Sequence, residues 1–91
     1  MPSSNLTARM YFDQARDAYA QHSFNDAADL LRKAIETDPK YLEAHRYLAE
    51  TYAKLGYEHR AKKAWEQLLR LTSDPAEQAE IKARMAAGIQ Q

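Results

Sequence analysis

Cysteine is absent from the 91 residues, so neither a disulfide framework nor a Cys-ligated zinc can stabilise this short chain. Valine is absent too, and only three isoleucines stand against seventeen alanines. Strands favour β-branched side chains, whereas alanine loses no side-chain entropy in a helix, so the expected fold class is all-α. With only Gly56 and Gly88 available, no glycine-rich phosphate loop can form. Charge of one sign is missing as well: thirteen basic and thirteen acidic residues cancel. A net-neutral chain has no global field to draw in nucleic acid or an anionic membrane, and neither is an expected partner. No apolar run approaches the ~18 residues of a membrane span. The opening Met1-Pro2-Ser3-Ser4-Asn5 lacks the basic and apolar regions of a secretory signal, so a cytoplasmic location is expected. A chain of this length buries little more than roughly 60% of its unfolded surface, which makes self-association a natural supplement to a thin core.

What is present reads as a series of helices. Asp38-Pro39, Gly56 and Asp74-Pro75 are the breakers. Proline suits the first helical position, where its missing N–H costs nothing, and the Asp before it can cap. Asp74-Pro75-Ala76-Glu77 adds the Glu of a capping box, and Ser23 is placed to accept the N–H of Asp26. Gly56 follows Ala53-Lys54-Leu55 as a left-handed terminating residue should. Five helices are expected, over about 6–21, 24–37, 40–55, 58–72 and 75–87. Links of two or three residues force neighbours to lie antiparallel.

The helices repeat. Shifted by 34 residues, Ala15 falls on Ala49, Ala27 on Ala61, Leu31 on Trp65 and Ala34 on Leu68. In the second unit His45, Leu48-Ala49 and Tyr52 precede Gly56, Ala61 and Trp65. In the first, Tyr11, Gln14-Ala15 and Ala18 precede His22-Ser23-Phe24, Ala27, Leu31, Ala34 and Pro39. This pattern resembles the tetratricopeptide repeat (TPR), a 34-residue helix–turn–helix unit. The resemblance implies one domain over 1–91, with repeats at about 8–41 and 42–74 and a capping helix at about 75–88. Ala15, Ala27, Ala49 and Ala61 would let helices approach closely, with Phe24, Leu31, Tyr52 and Trp65 filling the space beside them. Gln14 and Ala18 depart from the pattern, as suits a terminal helix that packs less deeply.

Catalysis and metal binding find no support, and no cofactor is expected. His22 occupies a turn position, His45 a packing position and His59 the start of a solvated helix, and none belongs to an H-E-x-x-H frame. The serines lie in the tail or at caps, so no nucleophilic triad is expected. Glu43, Arg46, Glu50 and Lys54 form a charge ladder suited to pairs within one helix, and Arg60, Lys62 and Lys63 read as a solvated face.

The resemblance implies a different task, the binding of another protein's peptide or helix in a groove lined by the first helix of each pair. By position that groove takes Phe12, Arg16, Tyr19, Arg46, Tyr47, Glu50, Lys54 and Arg84, with Arg9, Asp13, Glu43 and Glu80 beside them. Residues 9, 12, 16 and 19 share one helical face on spacing alone. Tyrosine and arginine suit an interface because each combines large area with directed donors. Arg16 and Arg46 would receive a carboxylate. The Lys/Asn clamp of the family's chaperone-binding members is replaced here by Phe12, Arg16 and Tyr47. The expected activity is that of an adaptor. A structural subunit that self-associates through its end helices is the alternative, and Leu6, Met10 and Tyr11 offer an apolar end for a homo-oligomer.

Overall fold

The computed structural model describes residues 3–89. They form five helices: α1 (Leu6–Ala20), α2 (Phe24–Thr37), α3 (Leu42–Lys54), α4 (Glu58–Leu71) and α5 (Pro75–Ile89). Each helix packs on the next in sequence, and α2 lies against both α1 and α3. Side-chain contacts also join α1 to α3 and α3 to α5. Two layers result, with α1, α3 and α5 in one and α2 and α4 in the other.

The helix stops follow the expected chemistry in part. Gly56 adopts φ 79°, the left-handed value that L side chains avoid. His22 takes the same region at φ 63° in the α1–α2 turn. Asp74 caps α5, its Oδ1 accepting the Ala76 N–H at 3.0 Å. Three expectations need correction. Ser23 makes no side-chain cap. Glu77 does not close a capping box but reaches Arg46 on α3 at 3.2 Å. Asp38 does not cap α3 either: it holds the Lys40 N–H at 3.2 Å and the Ser3 hydroxyl, so Pro39 sits in a turn and the helix starts later, at Leu42. Asn5 caps α1, its Oδ1 accepting the Ala8 N–H at 3.0 Å, a start signal in addition to those of the three breakers.

The core follows the 34-residue period. Ala27, Leu31 and Ala34 on α2 and Ala61, Trp65 and Leu68 on α4 are all buried at equivalent positions. Ala15 and Ala49 are likewise buried, where a longer side chain would hold the pairs apart. His45 is 5% exposed, and its Nε2 donates to the Pro39 carbonyl at 2.8 Å, so this imidazole is a satisfied core group. Ile81 anchors α5 with no exposed surface.

Candidate interaction groove

Four aromatic rings tie α1 to the start and middle of α3. Phe12 lies 5.0 Å from the Tyr41 ring and 5.3 Å, nearly perpendicular, from Tyr47. Tyr19 meets Tyr47 edge-on at 5.6 Å and Phe24 at 5.3 Å. Such tilted and edge-to-face pairs satisfy the ring quadrupoles. Their depths differ. Phe12 is only 3% exposed, which corrects the expectation that it projects into solvent as a groove side chain. It is the floor on which Tyr47 rests. Tyr19 and Tyr47 are half-buried and remain at the surface. Burial first, and the nearby Glu50 carboxylate second, raise the Tyr19 pKa above its ordinary value of 10.0, so at neutral pH its hydroxyl is a donor.

Two concavities flank Tyr19. The smaller, about 440 Å³, is walled by Asp13, Arg16, Asp17, Tyr19, Ala20 and Tyr47. Arg16 is exposed, with its guanidinium 5.9 Å from the Phe12 ring centre. The larger, about 670 Å³, opens between the end of α3, the start of α4 and the far half of α5. Tyr19, Trp65, Met85 and Ala61 give it apolar walls, and Lys54, Lys62, His59 and Glu58 add polar groups.

The charged residues expected in the groove have a second engagement. Arg46 pairs with Glu77 and Glu80 of α5, each at 3.2 Å. Glu50 accepts from Arg84 at 2.7 Å, and the Arg84 guanidinium also lies 5.7 Å from the Trp65 ring centre. These pairs run between helices, which corrects the reading of Glu43, Arg46, Glu50 and Lys54 as a ladder within α3. They also remove Arg46 as a free receiver of a carboxylate alongside Arg16. Both Arg46 and Arg84 keep solvent contact, so each pair contributes roughly 0–1 kcal/mol, enough to orient α5 but little for stability. Arg9 and Glu43 are exposed and form no ion pair among the described residues.

Of the eight groove residues expected, Tyr19, Glu50, Lys54 and Arg84 converge on the larger cavity, and Arg16, Tyr19 and Tyr47 on the smaller. Arg46 holds α5, and Phe12 lies beneath. The α4 contribution was missed. Glu58, Ala61, Lys62 and Trp65 line one side of that cavity at i, i+3, i+4 and i+7, a spacing that marks one helical face. Among the described residues no group of three His, Cys, Asp or Glu is placed to hold a metal ion, and no helix is long and apolar enough to cross a membrane.

Compared with known families, residues 18–85 match the model of the tetratricopeptide repeat. Among curated proteins, none matches the chain.

Proposed function

The chain belongs to the tetratricopeptide repeat family, whose repeats generally mediate protein–protein interaction, and we propose that it is an adaptor that binds a partner segment across α1, α3 and α5. Two repeats, about 8–41 and 42–74, followed by the capping helix form the platform. The observation that carries this reading is the position of Tyr19. Its ring stands against both concavities and is supported edge-on by Tyr47, so a bound segment crosses it whichever cavity it enters first. A half-buried tyrosine offers an apolar ring and a hydroxyl donor without the entropy cost of a long flexible side chain, the usual composition of an interface anchor.

The reading places the protein in the cytoplasm, without cofactor or catalytic group, where it joins two proteins rather than transforming a substrate. Its test starts from a partner captured from the source cell and identified by mass spectrometry. Binding isotherms of Tyr19→Ala and Tyr47→Ala should then show a loss of about thirtyfold, equivalent to roughly 2 kcal/mol for an anchor residue. Affinity unchanged in both variants would place the interface elsewhere.

A second reading has its own observation. Leu6 is 75% exposed and Met10 48%, together at the α1 end of the array. Exposed apolar groups at an end favour pairing with another copy. Sedimentation at high concentration decides this: a concentration-dependent dimer that Leu6→Glu with Met10→Glu abolishes supports a structural subunit, and a strict monomer removes it.

A further inference from the structure

The two concavities beside Tyr19 carry opposite charge. The α1-side cavity is lined by Asp13 and Asp17 against one cation, Arg16, whose guanidinium lies towards the Phe12 ring. Neither aspartate forms an ion pair among the described residues. In the larger cavity Arg84 and Glu50 neutralise one another, leaving Lys54 and Lys62 against Glu58. These two lysines are exposed and form no ion pair among the described residues. The net-neutral chain thus presents a polarised surface: a carboxylate excess at the α1 edge, a tyrosine ledge in the middle, and an ammonium excess beyond it.

We infer that the groove selects an extended partner segment with cationic residues at one end, acidic residues at the other, and an apolar side chain between them. This rests on the adaptor reading and adds the partner's chemistry to it. Charge complementarity argues for that occupant. A uniformly acidic segment meets Asp13 and Asp17, and a uniformly basic one meets Lys54 and Lys62. Like charges brought together at an interface suppress a wrong partner more strongly than rim pairs reward a right one. The middle of the segment is read by area: Tyr19, Met85 and Trp65 offer apolar surface in a cavity of about 670 Å³, room for one large side chain.

Three end-capped decapeptides provide the test, each with the same six-residue core, Ser-Gly-Leu-Gly-Ser-Gly. Such a core spans about 20 Å when extended, roughly two inter-helix spacings. One peptide carries two lysines at its start and two glutamates at its end, the second four lysines, the third four glutamates. Amide chemical-shift titrations of the full chain should show the mixed-charge peptide binding at least fivefold more tightly than either other, with shifts centred on Tyr19 and Tyr47. Asp13→Lys with Asp17→Lys should transfer the preference to the acidic peptide. Lys54→Glu with Lys62→Glu should transfer it to the basic one. All four positions are exposed, so the fold is expected to survive, and circular dichroism melts verify that it does. Equal affinities that ignore the charge exchanges, while Tyr19 and Tyr47 still respond, overturn the polarity and leave the groove standing. Shifts confined to other surfaces, or none at millimolar peptide, overturn both.

Discussion

Replacing Phe12 by Ala separates the two roles this position can have. An exposed groove residue truncated to alanine changes stability by no more than about 0.5 kcal/mol. The structure assigns a different magnitude. Phe12 is 3% exposed, lies 5.0 Å from Tyr41 and 5.3 Å from Tyr47, and is reached from above by Arg16. Emptying such a site removes the transfer energy of the ring and leaves a cavity between helices that cannot collapse freely, for a cost of roughly 3–5 kcal/mol. A domain of 91 residues holds on the order of 5–14 kcal/mol in all, so the loss is a large share of the total. Each kcal/mol moves the midpoint of so small a domain by roughly 4–8 °C, which puts the expected fall at about 12–40 °C. Urea denaturation followed by circular dichroism gives the free energy directly, with the slope checking that the unfolded state is unchanged. A variant within 1 kcal/mol of the parent would refute the buried placement of Phe12 and the stacking of Tyr47 upon it.

Other perturbations test neighbouring parts of the same picture. Trp65→Ala should cost about 3–5 kcal/mol, since the indole is 5% exposed in the α3–α4 pair; an unchanged denaturation midpoint would reject the repeat register. At Gly56 a methyl group would meet nothing within 4 Å, so Gly56→Ala isolates the backbone cost of φ +79°. The expected loss is about 1–2 kcal/mol, and a gain on thermal melting would mean the turn can rearrange. Burial is the main cause that raises the pKa of Tyr19 and of Tyr41 above 10.0. Because the folded values exceed the unfolded ones, their stabilising contribution is complete below pH 10 and is lost as pH rises through the raised values. Absorbance titration near 295 nm should therefore show a phase in the folded chain later than in the unfolded one, with stability falling over the same range; a folded titration that coincides with the unfolded one would contradict this.

The fold was legible because helix chemistry is local. Pro75 and Gly56 mark a start and a stop, and buried Ala27, Leu31 and Ala34 recur 34 residues later as Ala61, Trp65 and Leu68. The groove was less so, because depth is not local. Phe12 and Tyr19 lie seven residues apart on one helical face, yet Tyr41, just before α3, and Tyr47 on α3 cover the first, whereas Tyr47 alone of the two meets the second, edge-on. No property of α1 alone separates them. The same holds for Glu77, whose spacing from Asp74 fits a capping box but whose side chain finds a stronger, charged partner on α3.

The period itself explains why the two inter-helix seams differ. Arg46 to Glu80 and Glu50 to Arg84 are both 34 residues apart, so equivalent repeat positions on successive first helices face one another. One repeat earlier the corresponding pairs are Phe12 with Arg46 and Arg16 with Glu50. No ion pair joins either: Phe12 carries no charge and packs beneath Tyr47, while Arg46 and Glu50 pair with α5. The α1–α3 seam is therefore closed by aromatic packing and the α3–α5 seam by exposed ion pairs. Salt screens the second and leaves the first almost untouched. Raising the ionic strength should accordingly loosen α5 while α1 holds, read as faster amide exchange along α5 at constant protection along α1. Equal loosening of both helices would mean that the ion pairs do not position α5, and that its apolar contacts, with Ile81 in the core and Met85 packed against it, hold it instead.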